Sequence, residues 1–241
     1  MLAGKVRVGE GDAARSDRKP GDLLDAATAV SVTRADPYVS RGGHKLAAAL
    51  DAFGIDPAGR IVLDVGASTG GFTDVLLQRG ARRVYAVDAG RGQLAEPLRR
   101  DGRVVSMERT NARRLDASTL PEAVELAVVD VSFISLALVI EPIAATFGAN
   151  RVHIVALVKP QFEVGRGNTD RGVVLDPAAH REVLEKVVGQ AGALGLGTRD
   201  VIASPLLGPE GNREFFVHLA TGPGCADIEA RIGALTGTGN T

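Results

Sequence analysis

Tryptophan is absent from the 241 residues, aromatic residues make up only 4%, and Cys225 is the single cysteine. With seven Phe and two Tyr, the core has to be built from Val, Leu, Ile and Ala, which a hydrophobic content of 45% supplies. One cysteine excludes an intramolecular disulfide and fits a reducing cytosol. No apolar run reaches the ~20 residues that a membrane helix needs. The opening Met1-Leu2-Ala3-Gly4-Lys5-Val6-Arg7-Val8 is not a signal peptide. The expectation is a cytoplasmic protein without membrane attachment. Net charge is missing too: at -1 it gives no argument for nucleic-acid binding. The distribution of charge is more informative, because the stretch from Arg79 to Arg114 holds ten arginines against four acids. Solvated helix surface explains part of that block. A basic face also serves as an electrostatic footprint for phosphates.

What the chain does have is a strand, a glycine turn and a helix in succession. Ile61–Val65 is an apolar, β-branched run of the kind buried in parallel sheets. Gly66, Gly70 and Gly71 follow, and then a helical pattern through Phe72, Val75 and Leu76. The stretch Asp64, Gly66, Ala67, Ser68, Thr69, Gly70, Gly71, Phe72 is therefore the candidate ligand cradle, at the carboxyl end of a first α/β strand. Its spacing, G-x-x-x-G-G, matches neither the dinucleotide fingerprint nor a phosphate-binding Walker loop. A second short strand, Arg83–Val87, ends in Asp88, placed to accept hydrogen bonds from ribose hydroxyls. These features leave open a methyltransferase and another nucleotide binder.

Taken in order, residues 1–35 are polar, with two β-like pieces at Lys5–Val8 and Ala29–Thr33 and a charged, exposed stretch at Glu10–Pro20. They are too few for an independent domain and read as the tail of something whose beginning is absent. Residues 36–241 form the main domain. Ser40-Arg41-Gly42-Gly43-His44-Lys45 opens a helix that runs through Phe53, with Ser40 a candidate cap. Lys45 stands at the start of that helix, where the dipole disfavours a cation. Further strands are expected at Val104–Met107, Leu126–Val129, Val152–Val158, 199–203 and Glu214–Leu219. Helices are expected around Leu94–Arg100, at Leu136–Phe147 and at Pro177–Leu194. A loop is expected over Gly165–Val173, and Thr236–Thr241 reads as a disordered tail. Alternation of strands and helices implies an α/β fold with a mostly parallel, doubly wound sheet.

Asp130 and Lys159 each follow directly on an apolar strand. Carboxyl ends of parallel strands are where open α/β sheets bind ligands, so this joint placement beside the glycine turn favours a functional pair. Pro160 stiffens the turn from which the lysine projects.

Five blocks, Ser40–Lys45, Gly66–Phe72, Val129–Ile134, Val158–Glu163 and Gly211–Phe215, together resemble the TlyA-type ribosomal RNA 2'-O-methyltransferases, often labelled haemolysin A. That family is related to the FtsJ (RrmJ) methyltransferases. The most specific pieces are Arg-Gly-Gly-His-Lys, Asp-Val-Ser-Phe-Ile-Ser and Val-Lys-Pro-Gln-Phe-Glu. The resemblance implies a Rossmann-like, class I fold with a seven-stranded sheet, and S-adenosylmethionine as cofactor, its methionine part on the Gly66–Gly71 turn and Asp88 near the ribose. Asn111 takes the adenine-contacting position, where many relatives have Asp. The implied catalytic set is Lys45, Asp130, Lys159 and Glu214, with Lys159 as base, Asp130 and Lys45 as orienting groups, and Glu214 as support; no metal is called for. The implied partners are ribosomal RNA and ribosomal subunits. Members usually begin with an S4-type RNA-binding domain, and Ala3–Val8 looks like its closing strand without the helices, a short remnant.

The chemistry supports such a set. A ribose 2'-hydroxyl must lose a proton as it attacks, whereas a sulfonium methyl is already activated, so positioning and a base are what a protein supplies. A lysine serves as base only where burial or a neighbouring cation lowers its pKa, and neighbouring carboxylates work against that. Three rivals remain: an RNA-binding ribosome factor with a vestigial site, a membrane-active haemolysin, and a nicotinamide oxidoreductase. The intact set, the missing membrane segment and the glycine spacing respectively argue against them.

Overall fold

The computed structural model describes residues 6–9, 23–25, 27–32, 36–165 and 169–237. Two compact units divide the chain, Met1–Pro37 and Tyr38–Thr241. In the first, β1 (Val6–Val8) pairs antiparallel with β2 (Val30–Val32), Val6 opposite Val32. The expected loop over Glu10–Pro20 lies outside the described residues.

The second unit is built on a seven-stranded sheet. Its strands are β3 (Ile61–Val65), β4 (Arg83–Val87), β5 (Val104–Met107), β6 (Leu126–Val129), β7 (His153–Val158), β8 (Leu196–Ala203) and β9 (Phe215–Thr221). The spatial order is β5-β4-β3-β6-β7-β9-β8. All pairings are parallel except those of β9 with β7 and with β8. The chain moves outward from β3 to β4 and β5, then returns to β6 on the other side. The carboxyl ends of β3 and β6 therefore form the topological switch point, where such sheets open a crevice.

Side chains alternate across the strands and feed two cores. Leu63, Val65, Ala127, Val129 and Phe215 join one; Val62, Leu126, Val128 and Phe216 join the other. The second core is closed by Leu46 and Leu50 of α1 (Arg41–Phe53) and by Val75 and Leu76 of α2 (Gly71–Gln78). The first includes Ile140 and Ile143 of α4 (Ile140–Ala145), Val183, Leu184 and Val187 of α6 (Pro177–Ala193), and Ile232 of α7 (Ile228–Thr236). Two short helices, α3 (Glu96–Arg99) and α5 (Pro160–Glu163), follow β4 and β7.

Several expected boundaries shift for identifiable reasons. The helix expected over Leu136–Phe147 is broken into a 3-10 turn at Leu136–Leu138 and α4, because Pro142 has no N–H to give to the preceding turn. The helix around Leu94–Arg100 shortens to α3. Strand β8 starts at Leu196, three residues early, with Gly197 inside it. A Cβ on Gly197 would stand 2.3 Å from the Gly222 carbonyl, so glycine admits the crossing segment there. Thr236 is not part of a disordered tail: it ends α7, buried, its hydroxyl donating to the Ile232 carbonyl at 2.9 Å. Residues 238–241 of that expected tail lie outside the described residues.

Two groups in the sheet that titrate between acid and neutral pH are buried. Asp64 on β3 is 0% exposed. Burial pushes its carboxyl up to about 7, although the Thr73 hydroxyl donates to Oδ2 at 2.6 Å. His218 on β9 is stacked between Phe53 and His153, and burial first, then the charges of His153 and Arg199, bring it down to about 4.

These two groups act on stability with opposite signs. The neutral His218 is favoured in the fold, so between about pH 4 and 6.5 the unfolded chain holds more protons and stability rises with pH. The protonated Asp64 is favoured in the fold, so between 3.8 and about 7 stability falls as pH rises. Each contributes a slope of up to about 1.4 kcal/mol per pH unit. Urea unfolding at pH steps from 4 to 7 should therefore show a shallow parent profile. His218→Gln should tilt it downward with rising pH, and Asp64→Asn upward. Parallel profiles for the two variants would contradict both assignments.

Candidate active site

The glycine turn forms because the backbone reverses on itself at the end of β3. Gly66 has φ 86, and a Cβ on it would stand 2.3 Å from the Asp130 carbonyl, so only glycine lets β3 and the β6 loop meet. Asp88 fastens the other side: its Oδ2 accepts from the Ser68 N–H at 2.8 Å and its Oδ1 from the Gly90 N–H at 2.6 Å. A carboxylate oxygen has two lone pairs, so each keeps capacity for a further donor.

Two adjoining clefts open on this turn and share Gly66, Ser68 and Asp130. One, of about 410 Å³, is lined by Ala67, Thr69, Gly71 and Phe72 of the turn and by Lys45, Lys159 and Glu214. The other, of about 460 Å³, is lined by Asp88, Asn111 and Phe133 among others. Both volumes lie in the range of roughly 300–1,000 Å³ common for small-molecule sites.

Four charged side chains from four separate places meet at the first cleft. Lys45 comes from the start of the second turn of α1, Asp130 from the end of β6, Lys159 from the end of β7, and Glu214 from just before β9. They form two ion pairs. Lys45 Nζ lies 2.5 Å from Glu214 Oε2, both side chains nearly or wholly buried. Lys159 Nζ lies 2.5 Å from Asp130 Oδ1, and it donates an aligned hydrogen bond to Ser132 Oγ at 2.9 Å. The Asp130 contact is close but not aligned as a hydrogen bond, and Glu214 Oε1 has no hydrogen-bond partner either. Both oxygens are buried. The unfavourable place of Lys45 on its helix is offset by Glu214.

The Arg-Gly-Gly-His-Lys block has a packing reason. A Cβ on Gly43 would run into the Tyr38 ring at 2.3 Å, so this glycine makes room for Tyr38; one on Gly71 would meet Ser40 Oγ at 2.2 Å, so that glycine lets the start of α1 lie close against the turn. Ser40 is the N-cap residue of α1 but makes no side-chain capping bond.

Other sequence candidates sit differently. Asp64 lines neither cleft; it is fully buried behind the turn on Thr73. Gly70 is also absent from the cleft walls: its Cβ direction points at Leu98 and Leu94. Asn111 is exposed on the second cleft, and its Oδ1 accepts from the Arg113 N–H at 3.0 Å, capping a short 3-10 turn at Ala112–Arg114.

Three residues went unassigned at the sequence level. Ser132 receives the Lys159 hydrogen bond. Phe133 is 90% exposed at the cleft with φ 63, its ring packed on Phe162 at 5.0 Å. Glu163 is buried beneath them. All three lie within motif blocks, yet nothing in residue type alone separates them from spacers.

The arginine block divides in two. Arg79, Arg83, Arg99, Arg100 and Arg103 pair with carboxylates. Arg82, Arg91, Arg109, Arg113 and Arg114 are exposed and have no carboxylate partner among the described residues. Arg91, Arg109, Arg113 and Arg114 lie in loops at the carboxyl ends of β4 and β5, joined by the Arg109 N–H donating to the Gly90 carbonyl at 3.0 Å.

The chain is 49% identical over 222 residues to the 16S/23S rRNA (cytidine-2'-O)-methyltransferase TlyA of Mycobacterium tuberculosis, spanning 91% of this chain and 81% of that relative. It is 40% identical to the protein named Hemolysin A of Brachyspira hyodysenteriae, over 78% of this chain and 79% of the other. A solved structure from Streptococcus thermophilus that carries a hemolysin name is 40% identical, with TM-score 0.80, over 98% of this chain and 88% of that one. The family model of FtsJ-like methyltransferases matches residues 38–221, which hold both clefts and all four charged residues; the chain belongs to the FtsJ-like methyltransferase family.

Proposed function

We propose that this protein methylates the ribose 2'-hydroxyl of cytidine in ribosomal RNA, within ribosomal subunits, using S-adenosylmethionine. The observation that carries the reading is the convergence of two ion pairs, Lys45–Glu214 and Lys159–Asp130, on one cleft beside the glycine turn. S-adenosylmethionine supplies an electrophilic methyl group on its sulfonium. The volume of the paired clefts, the spare lone pairs of Asp88 and the positive end of the α2 dipole at the turn suit it. Gly66, Ala67, Ser68 and Thr69 would hold its methionine part, Asp88 its ribose hydroxyls, and Asn111 its adenine. Since Asn111 Oδ1 already caps the 3-10 turn, its Nδ2 would donate to a ring nitrogen of the base.

Lys159, once its ammonium has given a proton to solvent, takes the proton of the 2'-hydroxyl as a neutral amine. Asp130 and Ser132 hold its amine in place, and Lys45 with Glu214 frames the same cleft. The exposed ring of Phe133 offers a stacking face for a nucleobase drawn out of its helix. Arg91, Arg109, Arg113 and Arg114 give phosphates a surface with no carboxylate partner among the described residues competing for them. No helix among the described residues is long and apolar enough to cross a membrane.

Lys159→Ala should slow single-turnover methylation of ribosomal subunits by roughly 10²–10⁴-fold. S-adenosylmethionine affinity, read by calorimetry, should stay near that of the parent. Unchanged turnover would remove Lys159 as the base and move that role to Asp130 or a water.

RNA affinity should fall steeply with salt. The triple variant Arg109→Ala, Arg113→Ala, Arg114→Ala should lower the slope of log affinity against log salt by about 2–3. Arg99→Ala, in a side chain already held by Glu96, should leave that slope unchanged.

A further inference from the structure

Resting on the reading above, we propose that Glu163 is a positioning residue for methyl transfer: its buried carboxylate holds the 130–136 segment against the turn that carries Lys159. Glu163 ends α5, four residues after Lys159, and is 5% exposed. It forms no ion pair among the described residues. A carboxylate buried that way is costly unless its oxygens are bonded, and both are. Oε2 accepts from the Ser135 hydroxyl at 2.6 Å, and Oε1 accepts from the Leu136 N–H at 2.7 Å. Behind it, Lys186 Nζ donates to the Glu163 carbonyl at 2.9 Å and fixes the turn to α6.

The segment so held carries the chemistry. Asp130 and Ser132 contact Lys159, and Phe133 rests on Phe162. Residues 130–135 belong to no helix or strand, so side-chain contacts have to set their position. Phe133 needs such support most, since φ 63 in a non-glycine residue persists only where the surroundings impose it. The bond from the Leu136 N–H to Glu163 is buried, and that from Ser135 partly so. Losing them frees the segment to drift relative to Lys159, and misplacement on the scale of 1 Å slows a positioned reaction by up to about 100-fold.

The test compares Glu163→Ala, Glu163→Gln and Ser135→Ala with the parent, using ribosomal subunits as substrate. Four quantities are read well below the unfolding temperature: single-turnover rate, S-adenosylmethionine affinity, Tm, and amide exchange at Leu136. Glu163→Ala should slow transfer roughly 10- to 100-fold, speed Leu136 exchange, and leave cofactor affinity within about threefold. Glu163→Gln, whose amide oxygen still accepts from Leu136 and whose amide nitrogen can donate to Ser135, should restore most of the rate. Ser135→Ala, which removes one of the two bonds, should give an intermediate rate and decides the matter if Glu163→Ala does not fold. A lower Tm with parental rate in the folded variants would make Glu163 structural only and overturn the proposal. Glutamine as slow as alanine would overturn it as well. A parent that methylates no ribosomal RNA would instead defeat the functional reading itself, with Leu136 exchange still reporting on the clamp.

Discussion

The carboxyl ends of β3 and β6 meet backbone to backbone, and the rest of the site hangs from that meeting. The Asp130 N–H donates to the Val65 carbonyl at 2.9 Å, while its own carbonyl occupies the space a side chain on Gly66 would need. One residue thus seals the switch point with its main chain and holds Lys159 with its side chain. Because β3 and β6 are neighbours in a parallel register, the glycine turn and the Asp130 loop leave the sheet at the same edge. The two clefts are the space between what leaves from there, with β4 and β5 supplying Asp88 and Asn111, and β7 and β9 supplying Lys159 and Glu214.

The two ion pairs differ in what they ask of the fold. Lys45 and Glu214 are enclosed, so neither can be lost without stranding the other. Breaking a pair of that kind costs about 3–5 kcal/mol, although the intact pair adds little net stability. Its value lies in joining α1 to the segment before β9 across 169 residues of sequence. Gly208 makes room for this pair: a Cβ there would stand 2.2 Å from Glu214 Oε1. Lys159 and Asp130 are partly open, with side-chain exposures of 11% and 23%, and stand where a substrate can reach them.

Much of the fold was legible because buried parallel strands are written as uninterrupted apolar runs. Ile61–Val65 and Leu126–Val129 were read at their observed limits. The reading weakened wherever a distant contact decided the local structure. Gly197 looks like a break in a strand until the crossing at Gly222 is seen, and α7 was missed because a short amphipathic stretch before a Gly/Thr-rich end has little signal of its own. In the site, Asp130 and Lys159 were visible as charges at strand ends. Lys45 stood out only as a cation at a helix start, and its place in the site, like that of Glu214, came by resemblance, since neither stands at the carboxyl end of a parallel strand. The count of ten arginines overstated the basic surface, because five are spent on carboxylates that sequence alone cannot pair with them. Ser132, Phe133 and Glu163 needed coordinates, since their roles come from what they touch.

The most direct measurement is to incubate the protein with methyl-labelled S-adenosylmethionine and ribosomal subunits, digest the RNA to nucleosides, and locate the label by mass spectrometry. Label on the 2'-oxygen of cytidine is the result that the proposed role of Lys159 as proton acceptor predicts. Label on a base, or none on RNA from subunits that lack the modification, would contradict the assignment of the two ion pairs to ribose methylation.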